Sequence, residues 1–111
     1  MKRSKHNNIK TVVDNITFAS KLEARRYSEL KLMQAGNLIS DLRLQVPYVL
    51  IPSQSGGLRK ERALKYVADF VYYNHLIKDT IIEDTKGMAT QLYVAKRKMM
   101  KQLGFEITET N

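Results

Sequence analysis

The amino-acid sequence predicts an α/β domain with the element order α-β-β-β-α-β, in which a mixed four-stranded sheet is flanked by helices. Two stretches have apolar residues at helical spacing, and four shorter stretches are rich in β-branched and aromatic residues. Three of the strands follow one another directly as a meander, and the second helix crosses over to the fourth strand. We assign this single domain to residues 16–111 and interpret the polar, basic residues 1–15 as a flexible arm.

Both helices are bounded by residues that favour helix ends. The first is predicted over residues 20–36, because Ser20 is a good N-cap, Glu23 completes a capping box and Gly36 is a typical stop. The second is predicted over residues 88–104.

The four strands are predicted at residues 42–51, 63–73, 80–87 and 105–110. Pro47 indicates that the first strand lies at a sheet edge or carries a bulge, because proline cannot donate to a ladder.

Charge and composition narrow the class of function. Nineteen Lys and Arg residues against eleven Asp and Glu residues give a net charge of +8, which favours an anionic partner, most often nucleic acid. The sequence has no cysteine and two histidines, which excludes disulfides and argues against a zinc centre. Because no apolar run could span a bilayer and no signal-peptide core follows the charged start, we expect a cytoplasmic protein without a membrane partner.

Alternation along the strands divides the charged residues between two faces. In the third strand it groups Asp84 with Lys86 and puts Glu83 and Thr85 on the opposite face. In the second strand, Asp69 is expected to share its face with Val67 and Val71, opposite Tyr66, Ala68 and Phe70.

A metal site is predicted where these two strands pair. If Tyr73 faces Thr80 in the hairpin, Asp69 faces Asp84, with the Cβ atoms about 5 Å apart. Two such carboxylates repel each other unless a divalent cation lies between them, and carboxylates are the protein ligands that Mg²⁺ prefers. The alternative is a salt bridge between Asp69 and Lys86 with Asp84 in solvent, and a one-residue slip would turn Asp84 away.

Three further residues have two interpretations each. Lys86 is either an ammonium that orients an attacking water or an exposed lysine at a strand end. Glu23 is either a helix-capping residue or a further carboxylate of the site. Gln45 is either an accessory residue that points to the site or a polar residue of an edge strand.

Two groups of basic residues are candidates for contacts with DNA phosphates. The groups are Lys96, Arg97, Lys98 and Lys101 on the second helix, and Arg59, Lys60 and Arg62 after the Gly-Gly pair, where they would form a flexible flap. The alternative interpretation of the group on the helix is a solvated helix face.

The segments "YVADF" and "IIEDTKG", on the second and third strands of this element order, resemble the PD-(D/E)XK nuclease superfamily. Asp69 takes the place of the first Asp of that motif, although Ala68 precedes it instead of proline. Asp84-Thr85-Lys86 takes the place of (D/E)XK, and Glu23 matches the acidic residue of the preceding helix. Over most of residues 16–100 the chain is similar to a phage-encoded family of small basic proteins known as a domain of unknown function.

This resemblance implies a Mg²⁺-dependent DNA endonuclease, with Mn²⁺ as a substitute. It implies Asp69, Asp84 and Glu23 as carboxylate ligands, the carbonyl of Thr85 as a further ligand, Lys86 as a catalytic residue and Glu83 as an alternative to Asp84. A structure-selective enzyme similar to a Holliday-junction resolvase would act on branched DNA during phage DNA recombination or processing, as a homodimer in the host-cell cytoplasm. The competing hypotheses are a non-catalytic DNA-binding or adaptor protein on the same scaffold and an RNA-binding regulator.

Overall fold

A computed structural model, which describes residues 9–85 and 89–111, confirms the α/β class and the mixed four-stranded sheet. A two-stranded hairpin precedes the six predicted elements. The elements are β1 (Thr11–Val13), β2 (Ile16–Phe18), α1 (Lys21–Ala35), β3 (Ile39–Ile51), β4 (Leu64–Asn74), β5 (Asp79–Thr85), α2 (Gln91–Gln102) and β6 (Ile107–Thr110).

The large sheet has the strand order β3-β4-β5-β6. The first three strands form the predicted antiparallel meander, and β6 joins β5 in parallel after the crossover through α2. β3 lies at the edge, which confirms the prediction from Pro47. In the described part of the chain, no helix is long and apolar enough to cross a membrane.

The β1–β2 hairpin corrects the predicted arm at residues 1–15. Thr11 pairs with Phe18, and the turn residues Asp14 and Asn15 have φ angles of 53° and 64°. Two successive residues with positive φ suit a tight hairpin turn, and Asp and Asn tolerate this conformation better than most residues. The folded part of the chain therefore starts before residue 16, and residues 1–8 of the predicted arm lie outside the described residues.

The helix starts follow local capping chemistry. The Ser20 hydroxyl accepts a hydrogen bond from the Glu23 N–H at 3.1 Å, as the capping-box prediction requires. α2 begins later than predicted, because the Thr90 hydroxyl accepts from the Tyr93 N–H at 3.0 Å and supplies the N-cap there.

Two apolar clusters hold the helices on the two faces of the sheet. The α1 core contains Phe18, Ala24, Tyr27, Leu30, Ile39, Phe70 and Tyr72. The α2 core contains Tyr66, Ala68, Val71, Ile82, Tyr93 and Met100.

The face assignment predicted for β4 is wrong, because the strand changes faces at Asp69. Ala68 belongs to the α2 core and Phe70 to the α1 core, although strict alternation would keep them together. Val71, predicted to lie opposite Ala68, shares the α2 core with it. Asp69 therefore stands where the strand crosses between faces.

The same change occurs in the neighbouring strand β3. Leu44 packs against the α1 core and Val46 against the α2 core, and the residue between them, Gln45, has a φ of 53°. A left-handed residue interrupts the pleat, which explains why simple alternation fails at this level of both strands. The interruption is significant for the site because Gln45 contacts Asp69.

Candidate functional site

Two predicted acids converge on one side-chain amide. Nε2 of Gln45 donates to Oε2 of Glu23 at 3.1 Å and to Oδ1 of Asp69 at 3.4 Å. Glu23 is 7% exposed, at the start of α1, where its N–H is held by the N-cap. We call Glu23, Gln45 and Asp69 the carboxylate bridge. The two interpretations of Glu23 thus coexist, since its backbone belongs to the cap and its side chain to the bridge.

The end of β5 holds the other oxygen of Asp69. Oδ2 accepts hydrogen bonds from the backbone N–H and from Oγ1 of Thr85, both at 2.9 Å. This contact joins β4 to the predicted motif segment and fixes the orientation of the Asp69 carboxylate. The role of the Thr85 carbonyl as a metal ligand stays a prediction.

The predicted register is observed from Asn74–Asp79 to Phe70–Glu83, one residue short of the predicted pair Asp69–Asp84, and Asp84 is held from the α2 side of the sheet. The pair Tyr73–Thr80 is confirmed. Asp84 is 3% exposed and accepts a hydrogen bond from the Tyr66 hydroxyl at 2.7 Å. Burial raises the pKa of Tyr66 far above its ordinary value, and the hydrogen bond and charge of Asp84 add to this, with a smaller contribution from Asp69. Tyr66 therefore lies within electrostatic range of both acids.

The donor set of the site consists of carboxylate oxygens, the ligands suited to Mg²⁺. Among residues 9–85 and 89–111, however, no three His, Cys, Asp or Glu side chains are placed to hold a metal ion together. Glu23 and Asp69 meet on the amide of Gln45, whereas Asp84 is engaged by Tyr66. The predicted catalytic residue Lys86 lies outside the described residues.

Glu83 faces away from Asp84, as predicted, and forms part of the protein interior. Its carboxylate is fully buried and accepts from Nε and Nη2 of Arg26 at 2.6 and 3.0 Å. It also accepts from the Tyr72 hydroxyl at 2.6 Å and from Oγ1 of Thr110 at 3.1 Å. We call Glu83, Arg26, Tyr72 and Thr110 the Glu83 network. With its oxygens already surrounded by donors, Glu83 is a poor metal ligand compared with Asp84.

The Glu83 network alters the acidity of its members. The hydrogen bond to Glu83 raises the pKa of Arg26 further above its usual value, although burial opposes this. Burial, together with the hydrogen bond to Glu83, raises the pKa of Tyr72 to about 12. The sequence analysis missed Arg26, which could have been found because it lies three residues after Glu23 and thus on the same face of α1.

Glu109 is a second residue that the sequence analysis missed. It lies beside Asp84 in the parallel pairing of β5 with β6 and accepts hydrogen bonds from the Tyr93 hydroxyl and, at 3.0 Å, from Nη1 of Arg97. The Arg97 guanidinium also lies 5.6 Å from the centre of the Tyr93 ring. One predicted DNA-binding residue, Arg97, is thus paired within the chain. The available signal was the alternation of β6, which puts Glu109 on the same face as Ile107.

The other predicted DNA-binding residues lie on two separate elements. On α2, Lys96 is half-buried, whereas Lys98 and Lys101 are exposed and line an open depression of about 250 Å³ together with Arg97 and Phe105. The β3–β4 loop carries exposed side chains at Arg59, Lys60 and Arg62.

A family model described as "Protein of unknown function (DUF1064)" matches residues 3–110, nearly the whole chain. No curated protein and no solved structure matches the chain. The match includes both strands of the carboxylate bridge, the capped helix α1 and the Glu83 network. The chain therefore belongs to the DUF1064 family.

Proposed function

We propose that this protein is a metal-dependent DNA endonuclease, selective for branched DNA. The observation that carries the proposal is the convergence of Glu23 and Asp69 on the Gln45 amide, beside the end of β5 that carries Asp84 and Thr85. Acids brought together from a helix and two strands are typical of a functional site, because neighbouring carboxylates disfavour each other's charge unless a cation is bound.

Electrostatics explain why such a site suits a cation. Two carboxylates that share one neutral amide repel each other, and a divalent cation would relieve this repulsion. A bound Mg²⁺ or Mn²⁺ would neutralise charge on a scissile phosphate and lower the pKa of a coordinated water. Asp69 is already oriented for this task by Thr85. In the proposal, Asp69, Asp84 and Glu23 are ligands and Lys86 orients the attacking water.

The charge distribution supports DNA as the substrate. A net charge of +8 and exposed basic side chains on α2 and on the β3–β4 loop suit contacts with a phosphate backbone. The sequence has no zinc-finger or helix-turn-helix signature, which favours recognition of DNA shape over base sequence. The resemblance to PD-(D/E)XK nucleases and phage proteins extends the proposal to a resolvase-like homodimer in the host-cell cytoplasm.

A second candidate function is favoured by the way Asp84 is held. A non-catalytic DNA-binding or adaptor protein on a nuclease scaffold would need no metal, and Asp84 is buried and accepts a hydrogen bond from Tyr66, as a structural acid would. This candidate predicts salt-dependent binding to DNA without cleavage in Mg²⁺ or Mn²⁺.

Cleavage of a four-way junction and of a linear duplex, with and without Mg²⁺, tests the proposal. We expect junction cleavage that falls about a thousandfold in Asp69→Asn, since one negative ligand is lost at nearly constant shape. Asp79→Asn is the matched control, because Asp79 is exposed at the other end of β5. Equal cleavage by wild type and Asp69→Asn would refute the endonuclease, and binding without cleavage would favour the second candidate.

A further inference from the structure

The tip of the β3–β4 loop presents an apolar side chain to solvent. Leu58 has a relative exposure of 106%, so its side chain has no packing partner in the described part of the chain. It follows Gly56 and Gly57, whose φ angles are 99° and 66°, and precedes Arg59 and Lys60. An isolated exposed leucine is ordinary on a protein surface. A leucine at a tip that is followed directly by two cations suggests an apolar contact next to an anionic partner.

The loop has a defined base. Gln54 and Glu61 exchange both backbone hydrogen bonds, at 2.9 and 2.8 Å, which closes residues 55–60 into a loop. Below this bridge the strands β3 and β4 are paired, from Ile51 and Leu64 onwards. The left-handed glycines permit a turn that most side chains would strain. The tip is therefore attached to the paired hairpin through a closed bridge.

We propose that Leu58 is a wedge that inserts between adjacent bases at the branch point of a DNA junction, with Arg59, Lys60 and Arg62 on the adjoining phosphates. DNA-binding proteins insert leucine side chains between base steps in this way, and positive residues beside the wedge hold the backbone. Unstacking costs least where stacking is already interrupted, so the wedge favours branched over linear DNA. The inference rests on the proposed function because it requires that the protein binds DNA. The wedge does not require that the DNA is cleaved.

A second exposed leucine serves as a matched control. Leu76 is 87% exposed at the β4–β5 turn, the other long hairpin of the sheet. Its neighbours are His75, Ile77 and Lys78, without the group of cations that follows Leu58. A general effect of removing an exposed apolar side chain would appear equally at both tips.

The experiment uses full-length protein in EDTA, so that no DNA is cut, and a four-way junction with 2-aminopurine beside the branch point. We expect wild type and Leu76→Ser to raise the 2-aminopurine fluorescence on binding, because the base loses its stacking partner. Leu58→Ser should bind the junction about tenfold more weakly and leave the fluorescence near that of free DNA. Leu58→Phe should restore the signal, whereas Arg59→Ala should weaken junction and duplex alike and lower the salt dependence.

The outcomes separate this inference from the proposed function. Equal fluorescence changes with wild type and Leu58→Ser would overturn the wedge and leave the endonuclease intact, since cleavage in Mg²⁺ is measured apart. Failure of the wild type to bind any DNA in EDTA would overturn the wedge, and failure to cleave the junction in Mg²⁺ as well would overturn both. Vesicles containing anionic lipid test the other surface that a leucine and cations could enter. Vesicle binding that needs Leu58, with no DNA effect, would also overturn the wedge.

Discussion

The Glu83 network and the carboxylate bridge put acidic side chains of one sheet into opposite environments. Glu83 is enclosed by Arg26, Tyr72 and Thr110, so its charge is balanced and its oxygens have donors. In the carboxylate bridge, the amide of Gln45 donates to two neighbouring acids, Glu23 and Asp69. A buried carboxylate with a full set of donors stabilises the fold, whereas two neighbouring acids repel each other and form the pair that we propose as metal ligands. The difference separates a carboxylate with a structural role from the acids that we propose as metal ligands.

The largest expected contrast in stability comes from replacing one acid of each region by its amide, which removes the charge and nearly keeps the shape. Glu83→Gln should lower the free energy of unfolding by about 3 kcal/mol, because it removes the buried charged partner of the Arg26 guanidinium and leaves only the more exposed Glu29. Asp69→Asn should lower it by less than about 1 kcal/mol, since the amide oxygen can still accept from Thr85 and only the long 3.4 Å hydrogen bond from Gln45 is lost. Urea unfolding at neutral pH in EDTA measures both.

An equal loss of stability in the two variants would show that the carboxylate bridge is as structural as the Glu83 network. Arg26→Lys offers a check from the other side of the ion pair, because lysine keeps the charge but cannot donate through two nitrogens in a fork. Arg26→Lys should therefore keep only part of the stability that the wild-type ion pair contributes.

The contrast also indicates what a sequence can and cannot predict. Local chemistry was enough for α1, whose Ser20 cap lies where the capping box predicts, and for the hairpin register, in which Tyr73 pairs with Thr80. The separation of Glu83 from Asp84 followed from strand alternation alone. These features depend on residues close together in the chain.

Features that depend on tertiary packing were not predictable in this way. The partnership of Arg26 with Glu83 joins residues 57 positions apart, and the helical spacing from Glu23 indicates the face on which Arg26 lies but not its partner. The change of faces at Asp69 accompanies a left-handed Gln45, which is not the glycine that positive φ normally suggests. The contacts of both regions were therefore harder to predict than the strands that carry them.

Removal of the Tyr72 hydroxyl tests the Glu83 network through a neutral donor. Tyr72→Phe should cost about 2 kcal/mol at neutral pH, because a buried carboxylate loses a short hydrogen bond. The pKa of Tyr72 is raised to about 12, above its ordinary value, so the folded protein retains this proton where the unfolded chain loses it. The contribution of the hydroxyl is thus complete below about pH 10 and is lost as the pH rises through about 12.

Urea unfolding of wild type and Tyr72→Phe at several pH values measures this dependence. The difference between the two proteins should shrink from pH 10 upwards. A difference that stays constant to pH 12 would contradict the link between Tyr72 and Glu83. Tyr73→Phe is the control, since Tyr73 is the exposed neighbour on the same strand.

The smallest expected effect comes from a third acid in the carboxylate bridge. Gln45→Glu should lower the stability in EDTA by about 1 kcal/mol, because a negative group replaces the amide that donates to Glu23 and Asp69. Mg²⁺ at about 10 mM should then stabilise the variant more than wild type, because a site with more negative charge binds the cation more tightly. Gln91→Glu, at an exposed position at the start of α2, controls for the added charge.

Thermal unfolding in EDTA and in Mg²⁺ gives the comparison. If Mg²⁺ shifts the melting temperature of Gln45→Glu no more than that of Gln91→Glu, the bridge does not attract cations and its acids belong with Glu83 as structural groups. If the shift is selective and Asp69→Asn abolishes it, the cation depends on the acid that Gln45 contacts. Because neither result needs DNA or turnover, the experiment separates the metal site from the reaction proposed for it.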